Sequence, residues 1–282
     1  MSEPLLKIRL LGGVNLTLDD EPITDLPTRK AEALLIYLAC RRRAVAREVL
    51  ADLLWDERGQ EQGLANLRSI LSSLRQNLKP YFVVTRQTIA FNHASNYWLD
   101  VARFEEQRVG NAGQDVAVLQ AAAKLYQGDF LEGFYLRESA GFEEWALLER
   151  ERLQRAAVEI FWRLIDATHV AGDYQAGLAY VDQLLRADNL SERAQRQKML
   201  LLARTGQHNA ALQFFAACSQ LLDEELGVAP EPESVALVEQ VRAAREAQPP
   251  QLPPPLPHFV GRSQEQAALL SQLRNPACRL IC

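Results

Sequence analysis

One stretch of the chain carries small polar residues and cations at a spacing that suits contact with DNA. Residues 60–79 have the sequence QEQGLANLRSILSSLRQNLK, in which leucines recur every three or four residues. This period predicts a helix with a leucine stripe facing a core and a polar face opposite it. Short Ser, Asn, Gln and Ala side chains let a helix approach base edges, and neighbouring Arg and Lys reach phosphates. The alternative is an amphipathic surface helix of a small all-α domain.

The residues on this helix that we predict to contact DNA are polar or positively charged. They are Gln62, Asn66, Arg68, Ser69, Ser72, Ser73, Arg75, Gln76 and Lys79. No Asp or Glu lies between Arg68 and Lys79. The stretch from Arg68 to Lys79 therefore presents no acidic side chain that would repel a phosphate.

A predicted β-hairpin follows this helix. The β-rich runs 82–85 and 88–91 are joined by two residues, Arg86 and Gln87, which is a common hairpin connection. We predict that Arg86 lies at the hairpin tip, where it can enter a minor groove, with Gln87 beside it. The alternative for Arg86 is a solvated turn arginine. With a short helix ending at Trp55, the order helix, turn, helix and hairpin predicts a winged helix-turn-helix.

Strands and a further helix come first in the chain. Residues 5–11 and 14–18 alternate apolar and polar residues around two glycines, which predicts a hairpin. Thr28 is a candidate N-cap for a helix that extends to about residue 40. Arg29 and Lys30 at its start, with Arg47 at the start of the next helix, are predicted contacts to the DNA backbone. Free N–H groups and the helix dipole favour an anion there; ordinary solvated charges are the alternative.

From residue 100 onward the apolar period is helical. The predicted helices are 101–109, 116–126, 139–169, 174–187, 192–204, 210–226 and 234–245. The segments GDYQAGLAY at 172–180 and GQHNAALQF at 206–214 align with a spacing of 34 residues, which is the tetratricopeptide period. The predicted fold class is therefore mainly α: an N-terminal winged helix-turn-helix of α+β type, then an all-α domain of tetratricopeptide-like helical repeats.

These segments together resemble the SARP (antibiotic regulatory protein) family of bacterial transcriptional activators. The residues that carry the resemblance are LLGGVNLTLDDEPI at 10–23, the helix at 29–38, VAREVLADLLW at 45–55, ANLRSILSSLRQNL at 65–78 and NYWLDVARFE at 96–105. The resemblance implies an OmpR-type winged helix over residues 1–99, with Trp55 in its core and the 65–78 helix contacting DNA. Ala46 departs from the family, in which Ser or Thr often caps the second helix.

The segment LYQGDFLEGF at 125–134 and the following WALLERERLQ resemble the bacterial transcriptional activator domain (BTAD) of the same regulators. That domain is expected over residues 100–246, followed by a proline-rich linker at 247–257. Residues 258–282 begin HFVGRSQEQ and resemble the start of the ATPase module found in large SARP-type regulators. We therefore expect the chain to be the N-terminal part of a longer, nucleotide-switched regulator. No GxxxxGK[ST] motif occurs, so no cofactor is predicted for these residues, and ATP is expected only in a downstream module.

Composition bounds the remaining possibilities. The net charge is −5, but residues 28–99 hold eleven Lys and Arg against six Asp and Glu, so the positive charge belongs to the predicted DNA-binding part. Four scattered cysteines without a CxxC pair predict reduced thiols in a cytoplasm, and the four histidines share no metal-binding motif. No apolar run approaches the roughly 20 residues of a membrane span, so no membrane partner is expected. No catalytic motif is present, and we do not expect an enzyme.

The sequence thus predicts a sequence-specific transcriptional activator. Its expected partner is double-stranded promoter DNA, and the resemblance implies direct repeats as sites and RNA polymerase as a further partner. The helical repeats are expected to mediate self-association, as in a homodimer, or to receive a signal. The alternative is a signalling scaffold in which the winged helix and the repeats bind proteins, which the overall negative charge favours.

Overall fold

The structure, a computed structural model, describes residues 3–24, 26–57, 59–109, 115–247, 267, 270 and 271. Its strands are β1 (Leu6–Arg9), β2 (Asn15–Leu18), β3 (Glu21–Pro22), β4 (Val45–Ala46), β5 (Phe82–Val84), β6 (Thr88–Phe91) and β7 (Tyr97–Leu99). Its helices are α1 (Arg29–Cys40), α2 (Arg47–Leu54), α3 (Gln60–Leu78), α4 (Asp100–Val109), α5 (Val116–Leu125), α6 (Ala140–Ala171), α7 (Tyr174–Ala187), α8 (Glu192–Arg204), α9 (His208–Leu226) and α10 (Pro232–Ala247). The predicted fold class, a winged helix followed by helical repeats, is confirmed.

An N-terminal sheet opens the fold, with the strand order β3-β2-β1-β7. β1 and β2 are antiparallel, as predicted, and the connection between them contains Gly12 and Gly13, each with φ of 97°. A side chain at either position would be strained, because L-residues rarely adopt this conformation. Asp19 and Asp20 also have positive φ and form the two-residue turn into β3. This pair of left-handed residues is typical of a hairpin turn that matches strand twist.

Three helices and a second sheet form the winged helix. α1 is buried along most of its length, and its N-cap Thr28 accepts a hydrogen bond from the Ala31 N–H at 3.2 Å. α2 and α3 approach closely, since a Cβ on Gly63 would lie 3.3 Å from that of Ala51. β4, β6 and β5 form the wing sheet in that order. Ala46, which replaces a Ser or Thr cap, makes no side-chain capping bond to α2.

The helical part contains the repeat that the 34-residue spacing predicts. Gly172 and Gly206 both adopt left-handed backbone just after α6 and α8, with φ of 71° and 75°. Five residues further on, Gly177 and Ala211 occupy equivalent buried positions on α7 and α9. A Cβ on Gly177 would lie 2.8 Å from the Thr168 hydroxyl. The small residues therefore permit the close helix packing that each repeat requires.

Packing continues from the winged helix into the helical repeats. Residues Met1–Arg242 form one compact unit. The buried carboxylate of Asp100 accepts hydrogen bonds from the N–H groups of Leu10 at 2.7 Å, Leu11 at 2.9 Å and Val101 at 2.7 Å. Burial raises the pKa of Asp100, and these three N–H groups oppose that rise. Asp100 thus ties the end of β1 to the start of α4.

The loop between α5 and α6 also binds the N-terminal sheet. The Leu131 N–H donates to the Leu10 carbonyl at 2.9 Å, and the Gly12 N–H donates to the Asp129 carbonyl at 3.1 Å. A Cβ on Gly12 would lie 3.0 Å from the Gln127 Cβ, so glycine permits this approach. The predicted boundary near residue 99 therefore marks a change of secondary structure, while the core runs across it.

A second contact joins α2 to the start of α6. The Ser139 hydroxyl donates to the Leu54 carbonyl at 2.8 Å, and the Ala140 N–H donates to Asp56 Oδ2 at 2.7 Å. Nearby, the rings of Tyr37 and Trp145 meet edge to face at 4.8 Å between centroids. The last turn of α2 is therefore held by the helical repeats.

The remaining residues, 243–282, form a second unit, which holds the end of α10 and residues 267, 270 and 271. Ala247, the first residue of the linker predicted at 247–257, is the last residue of α10. The rest of that linker and the FVGR segment lie outside the described residues.

Replacement of Asp100 by alanine should destabilise the protein by about 3 kcal/mol. The change leaves three N–H groups without their acceptor in a buried site, and each buried, unpaired polar group costs roughly 1–3 kcal/mol. Urea unfolding followed by circular dichroism measures the loss. D100N, which keeps one acceptor oxygen, serves as the matched variant and should lose less. Equal stability of D100A and the wild type would show that these bonds do not hold the junction.

Candidate nucleic-acid interface

The exposed face of α3 is polar along its length. Leu67, Ile70, Leu71, Leu74 and Leu78 are buried beneath it. Leu64, predicted to lie on the buried stripe, is only half-buried, and Ile70 extends the stripe instead. Of the predicted DNA contacts on this segment, those exposed are Gln62, Arg68, Ser69, Ser72, Arg75, Gln76 and Lys79, while Asn66 and Ser73 are half-buried.

Two of the predicted contacts on α3 bind each other. The Gln62 amide donates to Asn66 Oδ1 at 3.0 Å across one helical turn. The pairing orients both amides and leaves the Asn66 NH₂ group as a donor. A base edge that accepts a hydrogen bond would suit this arrangement.

The wing turn is closed by its own side chains. Thr85 and Thr88 face each other across it, with the Thr85 N–H donating to the Thr88 carbonyl at 2.9 Å and the Thr88 N–H donating to Thr85 Oγ1 at 2.9 Å. Arg86 and Gln87 form the two-residue connection between them, as predicted, and both side chains are exposed. The wing therefore presents a cation at its tip on a short, internally bonded turn.

Arg47, a predicted backbone contact, braces this wing. The Arg47 guanidinium NH2 donates to the Thr85 carbonyl at 3.0 Å. The Arg47 backbone N–H donates to the Gln87 carbonyl, also at 3.0 Å. Its Nε is buried without a hydrogen-bond partner among the described residues. The side chain is half-buried, so part of its donor capacity is used inside the protein.

Arg29 and Lys30 lie against the loop before α6. Lys30 Nζ donates to the carbonyls of Leu54 at 2.6 Å and Glu138 at 3.0 Å. The Arg29 guanidinium lies 5.0 Å from the centre of the Phe134 ring and is exposed to solvent. Both cations were predicted to bind DNA phosphates, and the structure gives each of them a partner within the protein.

A cleft brings these cations together with α3. It has a volume of about 690 Å³. The described residues that line it are Thr28, Arg29, Lys30, Trp55, Asn66, Ser69, Ile70, Tyr135, Leu136 and Arg137. The sequence showed no sign of it, because the segment 135–137 reaches α3 only through the tertiary fold.

Burial raises the pKa of three acidic groups in this part of the chain and in the helical repeats. Burial raises the pKa of Glu32, and the neighbouring Arg29 opposes the rise. Burial likewise raises the pKa of Cys40, and raises that of Cys218 to about 11, so both thiols stay protonated near neutral pH. In the described part of the chain, His, Cys, Asp and Glu nowhere gather in threes as a metal site. Across the described helices, none is both long and apolar enough for a bilayer.

Comparison with known proteins gives a family match over the helical part. Residues 99–242 match the model of the bacterial transcriptional activator domain. The regulatory protein AfsR of Streptomyces coelicolor is 28% identical over 92% of this chain, and AfsR of Streptomyces griseus is 26% identical over 95% of it. The chain spans 28% and 29% of the lengths of these two relatives.

A solved structure shares the fold. The chain of Mycobacterium tuberculosis EmbR, solved in complex with a low-affinity phosphopeptide, superposes with a TM-score of 0.59 at 20% identity. The match covers 98% of this chain and 73% of EmbR. The likeness extends over both the winged helix and the helical repeats.

Replacement of Arg47 by methionine should loosen the wing without unfolding the protein. The variant keeps an apolar stem but loses the bond to the Thr85 carbonyl, and such a bond contributes about 0.5–1.5 kcal/mol. Hydrogen exchange at residues 85–88 should speed up by about threefold to tenfold, measured by mass spectrometry. R43M is the control, because it changes an exposed arginine that lies just before β4, as Arg47 lies just after it. Unchanged exchange in R47M would contradict the bracing role.

Proposed function

Because the chain belongs to the bacterial transcriptional activator domain family, of the SARP type, we propose that it binds promoter DNA sequence-specifically and activates transcription. α3 would lie in a major groove, with the wing following the adjacent backbone or minor groove. The proposal covers the activity of this chain alone, since the curated relatives are more than three times as long.

The observation that carries the proposal is the exposed polar face of α3. A buried stripe from Leu67 to Leu78 holds the helix on the core, so the opposite side chains are presented at a defined orientation. Ser69, Ser72 and Gln76 on this side are exposed and short or neutral, which permits close approach to base edges.

Cations flank that face. Arg68, Arg75 and Lys79 are exposed, and the salt bridges among the described residues involve none of them. Arg86 at the wing tip supplies a further charge. Such side chains suit phosphate contact, which supplies most non-specific affinity and positions the protein on the duplex.

The wider biological setting follows from the same proposal. A promoter-binding regulator of this family acts in the bacterial cytoplasm, binds direct repeats and recruits RNA polymerase, and the helical repeats pair two copies or receive a signal. We propose no catalytic activity and no cofactor for these residues; ATP would belong to a downstream module.

A signalling scaffold is the second candidate. The net charge of −5 favours it, because an acidic chain is repelled by nucleic acid at long range. The excess of Lys and Arg over residues 28–99 opposes it locally. DNase footprinting on DNA upstream of neighbouring genes separates the two: protection supports the regulator, and its absence at low salt supports the scaffold.

Replacement of Arg68 or Arg86 by alanine should weaken DNA binding about fivefold to tenfold and reduce its salt dependence. Each phosphate contact releases counterions, so losing one should lower the slope of log K against log salt by about 0.9. Fluorescence anisotropy with the footprinted duplex, repeated at several salt concentrations, measures both quantities.

The matched control is R186A, which removes an exposed arginine from α7. It should bind DNA like the wild type. If R68A and R86A also kept the wild-type affinity and slope, α3 and the wing would not be the DNA-binding surface.

A further inference from the structure

The cleft between α1, α3 and the loop before α6 has the size and lining of a small-molecule site. Its volume of about 690 Å³ lies within the range of roughly 300–1,000 Å³ found for ligand pockets. Trp55, Ile70 and Leu136 give it an apolar floor, and each is less than 10% exposed. An apolar ligand group that binds on this floor is removed from water, which favours binding.

The rim of the cleft is positively charged. Arg29, Lys30 and Arg137 line it, and among its described lining residues there is no Asp or Glu. Arg29 is held in place by the Phe134 ring and by a 3.5 Å contact from its guanidinium to the Tyr135 carbonyl. Arg137 is exposed and has no carboxylate within salt-bridge distance in the described structure. The charge of this rim complements an anion.

An exposed aromatic ring also indicates a binding site at this cleft. The Tyr135 side chain borders the cleft and is 68% exposed, an unusual state for a large ring. Polar groups that could orient a ligand come from Thr28, Asn66 and Ser69. An apolar floor with a few convergent polar groups is the usual design of a binding site.

We propose that this cleft binds a small organic anion with an apolar body, such as a carboxylate or phosphate attached to an aromatic or aliphatic group. The apolar body lies on Trp55, Ile70 and Leu136, and the anionic group lies at the rim near Arg137 and Arg29. Neutral and cationic compounds of the same shape bind more weakly, because they cannot form an ion pair with the Arg137 or Arg29 guanidinium group.

Occupancy of the cleft also regulates DNA binding, a step that rests on the proposed function. Asn66 and Ser69 line the cleft and belong to the face of α3 assigned to DNA. A bound anion engages these two side chains and adds negative charge beside the phosphates. It therefore lowers DNA affinity, and by thermodynamic reciprocity DNA lowers the affinity for the anion by the same factor.

The binding test uses the full chain and two dyes that share an apolar body. 8-Anilinonaphthalene-1-sulfonate carries an anionic group, and N-phenyl-1-naphthylamine is its neutral analogue. Fluorescence titration should give a tighter Kd for the sulfonate. R137Q should weaken sulfonate binding about threefold to fivefold, in line with about 1 kcal/mol for a partly exposed charge, and should leave the neutral dye unaffected. Y135A should weaken both dyes.

A second cavity provides matched controls. It has a volume of about 360 Å³ and is lined by Lys124 and Tyr180 among neutral amides and apolar residues. K124Q and Y180A should bind both dyes like the wild type. Equal affinity for the two dyes, or an equal loss in K124Q and R137Q, would overturn the assignment. Hydrogen exchange protection by the sulfonate should fall on residues 135–137 and 66–70; protection elsewhere alone would also overturn it.

The regulatory step is tested separately. A saturating amount of the sulfonate should reduce affinity for the footprinted duplex, and R137Q should need about threefold to fivefold more dye for the same effect. Unchanged DNA affinity at saturation would refute the coupling. The dye titrations contain no DNA, so they test the cleft even if the protein does not bind DNA. Conversely, DNA binding without dye tests the proposed function even if the cleft binds no anion.

Discussion

The fold depends on the hydrogen bonds made by buried backbone N–H and C=O groups at the junction of the winged helix and the helical repeats. β1 ends at Arg9, and the N–H groups of Leu10 and Leu11 would be buried without partners if Asp100 did not accept from both. The Leu10 carbonyl is satisfied in turn by Leu131, which belongs to the helical part. Unpaired buried polar groups are costly, so the two parts are stable together in one arrangement.

That arrangement determines what the winged helix can present. α2 ends where Ser139 and Lys30 bind the Leu54 carbonyl, and α3 packs on α2 at Gly63 and Ala51. The polar face of α3 is thus positioned through contacts that include the helical repeats. Any ligand or partner that shifts the loop before α6 would act on the helix assigned to DNA, since both line the same cleft.

Periodic and local signals account for the parts of the fold that were predicted. The 3.6-residue period located α3 and the helical repeats, and Gly172 and Gly206 adopt the same left-handed conformation 34 residues apart. The two-residue connection at 86–87 also followed from sequence. The prediction erred at Leu64, which is half-buried, while the neighbouring Gly63 packs against Ala51 of α2.

The sequence by itself determined the element order, the repeat, the family and the polar character of α3, because these follow from periodicity, turn chemistry and matched motifs within short segments. Only the tertiary structure decided that Arg47 braces the wing, that Lys30 binds two carbonyls, and that Arg137 shares a cleft with Ser69. These contacts join residues that are 24 to 108 positions apart, and no local pattern encodes which distant groups meet when the chain buries its core.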